Sequence, residues 1–222
     1  MTLAESDTAL ASAVAIMRDA PPPCISTLVF RFKAVLFQLR RALHNKFVTR
    51  PRRFPQVERT DDLPVIASAT VRLWKDVPER ERYLQAGKIH NLRIALRRIN
   101  NLEIPAGETF SFWRHIRHPG KWQGFVKGRE LREGYMIPSI GGGLCQLSNT
   151  LYQAALAGGL EIVERHAHSR ALPGSAAEAG RDATVFWNYV DLRVRHSRAW
   201  RIEASMTADE LTVCFKLNDD LV

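Results

Sequence analysis

Apolar residues fall at helical spacing through the N-terminal half of the chain and in short strand-like runs through the C-terminal half. Ile25, Leu28, Val29, Phe32, Leu36, Leu39, Leu43 and Phe47 trace one face, which predicts a helix over 25–47. A shorter helix is expected over 4–19, ended by Pro21-Pro22-Pro23. Residues 50–64 carry prolines and charge without a period and read as a solvated linker. Residues 65–74 read as a strand or short helix. Asp76 is placed to cap a helix running to residue 86, and Ile89, Leu92, Ala95, Leu96 and Ile99 share a face of another over 89–99. Leu102 and Ile104, a turn at Pro105–Glu108, then Phe110 and Phe112 suggest a β-hairpin over 102–113. His115 and His118 fall in the loop that follows, without the partners a metal would need.

A short strand over 134–138 then leads into Gly141-Gly142-Gly143. Leu147, Leu151, Ala154 and Ala155 recur at helical spacing, and Gly158-Gly159 stop that helix. Strand-like runs follow at 160–165, 183–187, 191–195, 200–206 and 211–217. The whole reads as α+β: N-terminal helices, then a mostly antiparallel sheet packed on a helix that starts at Cys145.

Charge divides the chain. The net charge is +9, and residues 20–57 hold eight cationic side chains and no acidic one. Residues 1–64 are therefore a basic helical extension with a linker, and residues 65–222 form a nearly neutral domain. The basic character belongs to the extension, so nucleic acid is not an expected partner. The 25–47 helix has two readings. It docks on its own domain, the usual fate of an amphipathic helix, or residues 25–53 lie on an anionic membrane surface. The three cysteines are isolated and odd in number, so no disulfide framework is expected. No signal peptide and no bilayer-spanning stretch is read, so the expected location is cytoplasmic or peripheral to the membrane.

The candidate chemistry sits where the glycine turn becomes a helix. Unpaired N–H groups and the helix dipole favour an anion there, which places Cys145 to react as a thiolate. Glu164-Arg165-His166-Ala167-His168-Ser169 supplies bases further on. On an extended strand His166 and His168 share a face, so spacing does not choose between them. A buried cysteine packing as a small hydrophobe is the structural counterpart of this reading.

Several ordered blocks carry a resemblance: Ile104 to Trp113, Gly141 to Asn149, Glu164 to Ser169, Gly180 to Val185 and Asn188 to Leu192. Across about 89–217 the chain resembles the VanW family. The resemblance implies that some members act as cysteine-dependent L,D-transpeptidases on peptidoglycan, with their cysteine matching Cys145 and their histidine matching His168. On that reading Cys145 attacks an amide carbonyl, His168 is base and then acid, and Asp182 orients the imidazole. Some relatives carry Gly in place of Asp182. Backbone N–H groups around Gly142 and Gly143, the Gln146 amide, Ser148 and Arg165 are candidates for oxyanion or substrate contacts. The implied partner is a peptide-like cell-wall substrate; no metal or other cofactor is expected. A second hypothesis is a non-catalytic module whose glycine turn holds an anionic group.

Overall fold

The structure, a computed structural model, describes residues 24–58, 62–74, 79–132, 135–168 and 180–218. The expected helix over 4–19 and the Asp76 cap lie outside those residues. Helix α1 (Cys24–His44) runs into a π-helical turn, Asn45–Thr49, closed by Arg50 in left-handed backbone at φ 40°. Strand β1 (Val65–Arg72) follows, then a 3₁₀ turn at Glu79–Glu81 and helix α2 (Arg82–Ile99). Next come β2 (Leu102–Ile104), β3 (Thr109–Ser111) and the short α3 (Phe112–Ile116). A ribbon of β4 (Lys127–Arg132) and β5 (Tyr135–Ile140) leads to α4 (Leu144–Ala157). Strands β6 (Glu161–Glu164), β7 (Arg193–Arg195), β8 (Trp200–Met206) and β9 (Glu210–Leu217) complete the fold.

Among the described residues, all strand pairs are antiparallel. The main sheet has the order β1-β9-β8-β2, and a second has the order β3-β7-β6. Alternation does the work in β9: Leu211, Val213, Phe215 and Leu217 all face inward and are buried. Helices α2 and α4 lie on the main sheet and close one core with it. The fold class is α+β, with helices preceding most of the strands.

Several expectations need correction. Residues 79–99 are not two helices. One helix runs through Gly87, where a Cβ would stand 2.0 Å from the Lys127 carbonyl oxygen. Gly87 therefore marks a close approach of β4, not a break. Residues 102–113 are not a hairpin: β2 pairs with β8 and β3 with β7, so the two strands join different sheets. The segment 183–187 is no strand and makes only an isolated bridge, Phe186 to Val190. His115 is not a loop histidine. It is buried in α3, stacked on Phe54 and Phe110, with Nδ1 2.9 Å from the Ser111 carbonyl oxygen and Nε2 accepting from the Phe54 N–H at 3.2 Å. Burial holds its pKa down, to about 4. Residues 54–57 also pack rather than cross solvent: Phe54 joins the core, and Gln56 bridges to Leu102.

Helix α1 docks by an unexpected edge. Ala34 is buried, the Gln38 amide donates to the Trp187 carbonyl at 2.6 Å, and Arg41 pairs with Glu164. Asn45 accepts from Arg193 at 2.7 Å. Its apolar stripe instead faces solvent: Leu28, Phe32, Leu36, Leu39, Leu43 and Phe47 are 57–73% exposed. Among the described residues, no helix is long and apolar enough to cross a membrane.

Candidate active site

The glycine turn is shaped by close backbone packing. Gly141 and Gly143 take positive φ, at 76° and 99°, and Gly143 caps α4. Cys145 is thus in the first turn of α4, half-buried, with its sulfur 3.6 Å from Thr184 Oγ1 and 3.6 Å from the Val185 carbonyl oxygen.

Helix α4 clamps the chain opposite. Ser148 Oγ donates to the Ala183 carbonyl at 2.6 Å, and Asn149 Oδ1 accepts from the Ala183 N–H at 2.8 Å. From the other side, the Thr184 N–H donates to the His166 carbonyl at 2.8 Å. These bonds hold residues 182–185 between α4 and the chain leaving β6. Strand β6 ends at Glu164, so the shared-face argument for the two histidines no longer applies. His166 is exposed, and its ring lies 3.3 Å from Glu164. His168 turns inward to contact both Cys145 and Asp182.

His168 Nδ1 is 2.5 Å from Asp182 Oδ2, and the same oxygen accepts the His168 backbone N–H at 2.7 Å. Nδ1 therefore carries the proton given to Asp182, which leaves Nε2 for the thiol. Arg165 holds the far side of the carboxylate: Nη2 is 2.8 Å from Asp182 Oδ1, and Nε donates to the Asp182 carbonyl at 2.7 Å. Its guanidinium also lies over the Tyr152 ring, 5.3 Å from the centroid. The hydrogen bond with Cys145 does most to raise the His168 pKa, to about 8; desolvation opposes it and Asp182 adds to it. Asp182 is almost wholly buried. Desolvation pushes its pKa up, yet hydrogen bonds from His168 and the charges of His168 and Arg165 together hold it below the ordinary carboxylate value.

The structure thus brings together Cys145, His168, Asp182 and Arg165 of the residues singled out above, with Arg165 holding Asp182 rather than facing a substrate. The remaining residues divide. The Gly142 N–H donates to the Ser139 carbonyl at 2.9 Å and the Gln146 N–H to the Gly143 carbonyl at 2.9 Å, so neither is free for an oxyanion. The Gln146 amide is 2.7 Å from the Arg72 carbonyl and ties α4 to the end of β1. Ser148 is fully buried and acts as part of the clamp. The Gly143 N–H remains, beside those of Leu144 and Cys145 in the open first turn of α4. Asn149 and Thr184 lay within the quoted blocks, but spacing assigned neither a task.

A family model described as "VanW like protein" matches residues 87–217, a span that includes Cys145, His168 and Asp182. The chain belongs to the VanW family. It is 36% identical over 129 residues to the vancomycin B-type resistance protein VanW of Enterococcus faecalis, covering 57% of this chain and 47% of that protein. It is also 35% identical over 107 residues to the uncharacterized protein YoaR of Bacillus subtilis, covering 48% of this chain and 35% of that one. The chain therefore spans less than half the length of the curated relatives it matches. No solved structure matches it. The VanW-like region begins inside α2 and ends with β9, so α1 and β1 fall outside the match.

Proposed function

We propose that this protein is a thiol-dependent acyl transferase of L,D-transpeptidase type, acting on peptidoglycan stem peptides or their precursors. The observation that carries the reading is the convergence of Cys145, His168 and Asp182, with Arg165 holding the last of them. The name of the Enterococcus relative, a vancomycin resistance protein, supports the cell-wall substrate class.

In the first half-reaction Cys145 Sγ adds to an amide carbonyl carbon and its proton passes to His168 Nε2. The oxyanion lies toward the N–H groups of Gly143, Leu144 and Cys145. The C–N bond then breaks, His168 returns the proton to the leaving amine, and a thioester remains on Cys145. In the second, an acceptor amine attacks the thioester carbonyl and gives a proton to His168. The C–S bond breaks and the sulfur regains that proton. Asp182 holds Nδ1 throughout and fixes which ring nitrogen faces the thiol.

Intact-mass spectrometry after incubation with muropeptides tests this. Wild type should gain an acyl adduct that Cys145→Ala lacks; a wild-type mass that never changes, with iodoacetamide labelling Cys145 no faster than Cys214, would leave a non-catalytic anion-binding turn.

The pH dependence has a definite sign. His168 must be neutral to take the thiol proton it later hands to the amine, and its own proton is held up to about pH 8. Acylation should therefore rise as pH passes about 8. Asp182→Asn removes an anion that helps hold that proton, so the limb should move to lower pH; a limb unmoved in that variant would deny the coupling. The same elevation stabilises the fold below the unfolded value of 6.5, and that contribution is lost as pH rises through about 8.

One observation favours a second role beside the first. The exposed stripe of α1 lies next to Lys33, Arg40 and Lys46, with no acidic residue between 20 and 57. That combination suits an anionic bilayer surface, with α1 lying in its plane. In flotation assays the full chain should rise with phosphatidylglycerol vesicles and not with phosphatidylcholine, and Phe32→Glu with Leu36→Glu should abolish this. Wild type that stays at the bottom at both low and high salt removes the role.

A further inference from the structure

Past the end of α1 lies a cleft of about 830 Å³, bounded by the turn after the helix, the segment 50–53, α3 and the loop after it. Six cationic side chains line it: Lys46, Arg50, Arg52, Arg53, Arg114 and Arg117. No carboxylate does. Arg52 is paired with Glu108 at 2.6 Å. The other five make no ion pair with any described residue. Trp113 and Trp187 form an aromatic wall.

The arrangement gathers like charges instead of dispersing them. Arg53 Nε donates to the Arg114 carbonyl at 3.1 Å, so the backbone bond brings two guanidinium-bearing residues together. Arg117 takes a positive φ of 66°, uncommon for a residue with a side chain. The Arg53 pKa is lowered, first by burial and then by the charges of Arg117 and Arg114. Like charges gathered this closely cost stability and favour a bound anion. Guanidinium groups match phosphoryl oxygens in forked pairs. The volume exceeds what one phosphate would fill, leaving room for an attached group against the tryptophans.

We propose that Lys46, Arg50, Arg53, Arg114 and Arg117 form a binding site for a phosphoryl-bearing ligand, with a diphosphate the best match to five cations that pair with no described carboxylate. The cleft stands apart from the thiol chemistry and does not depend on it. Trp187, on the cleft wall, follows by two residues Val185, whose carbonyl touches the Cys145 sulfur. The phosphoryl group is either free in solution or carried on a lipid, and the test separates these.

Titration of the full chain with sodium pyrophosphate, followed by calorimetry and tryptophan fluorescence, should show saturable binding that equimolar sulfate does not reproduce. Arg114→Gln with Arg117→Gln should weaken it by at least about ten-fold, as should Lys46→Gln with Arg50→Gln, for loss of two charge-assisted contacts. These side chains are exposed, so both variants should melt as wild type does and label at Cys145 at the wild-type rate. In a parallel arm, vesicles containing phosphatidic acid are floated with each variant. Flotation that depends on Arg114 and Arg117, with no binding of pyrophosphate, supports the site with a lipid-borne source. Binding of neither probe, or binding that survives both double variants, overturns it. Loss of acyl-enzyme formation in Cys145→Ala with pyrophosphate binding intact would show the two sites to be separate.

Discussion

Replacing His168 with alanine will slow acyl-enzyme formation by about two to four orders of magnitude, the usual contribution of a positioned proton carrier. The reason lies in where its nitrogens point. Nδ1 is held by Asp182 at 2.5 Å, and the ring contacts Cys145, so the imidazole is placed both to take the thiol proton and to return it to the leaving amine. His166→Ala is the matched control, because its ring contacts Glu164 and is exposed. Its rate should stay within about two-fold of wild type, the scale of an exposed side chain that touches no machinery. Arg165→Gln should fall between, since it loosens Asp182 without removing the base. The measurement is a time course of adduct mass on each variant with muropeptides. Equal rates in wild type and His168→Ala, or a loss in His166→Ala of the size expected for His168, would refute the assignment.

Local periodicity was enough for the elements whose apolar face meets the core. The faces of α2, α4 and β9 could be read because Leu92, Leu96, Leu147, Leu151, Leu211 and Phe215 are each buried where the spacing put them. It failed where partners are distant in sequence. Leu102 pairs with Ile202 and Thr109 with Arg195, and nothing in the run from 102 to 113 states that. Strand β4 was missed because Lys127, Arg129, Glu130 and Arg132 hide its alternation, and its ladder is with β5 alone. Around the candidate site, the glycines before α4 carry a strong local signal, since three in succession call for a tight turn or a close approach of backbone. Ser148 shows the opposite case. Its task follows from which carbonyl lies opposite, and that is tertiary information.

Polar bonds join the ring contacts of Phe30 with Phe186 and Phe37 with Tyr189 in seating α1. A rule that buries the apolar stripe would have turned Phe32 and Leu36 inward, yet Gln38, Arg41 and Asn45 find partners on residues 164–193 and the stripe is left outside. Glu164 is the hub of that contact. It pairs with Arg41 and with Arg193 at 3.4 Å, and one of its oxygens accepts the Asp191 N–H at 3.3 Å. Because Glu164 is also the last residue of β6, the seat of α1 and the path to His168 share one carboxylate.

Gly142→Ala will destabilise the fold by about 1–3 kcal/mol or more, the range for forcing atoms into a packed interior, and will slow Cys145 labelling as well. A Cβ on Gly142 would stand 2.4 Å from the carbonyl carbon and oxygen of Gly128, atoms of backbone that cannot swing aside. The reverse holds too, since a Cβ on Gly128 would meet the Gly142 carbonyl oxygen at 2.4 Å. Asn91 locks this approach: its Nδ2 donates to the Gly142 and Val126 carbonyls at 3.0 Å each, and its Oδ1 accepts the Val126 N–H at 2.9 Å. Relief must therefore come from the turn itself, which carries Gly143 and the start of α4, so the sulfur moves with it. Gly107→Ala separates this effect from backbone strain alone. Gly107 takes φ 73° with nothing within 4 Å of its missing Cβ, so its cost should be only the left-handed penalty of about 1–2 kcal/mol. Its thiol should label at the wild-type rate. Urea unfolding gives the stabilities and iodoacetamide kinetics the reactivities. A Gly142→Ala protein with the wild-type midpoint and labelling rate would mean that the β4 ribbon does not hold the turn in place.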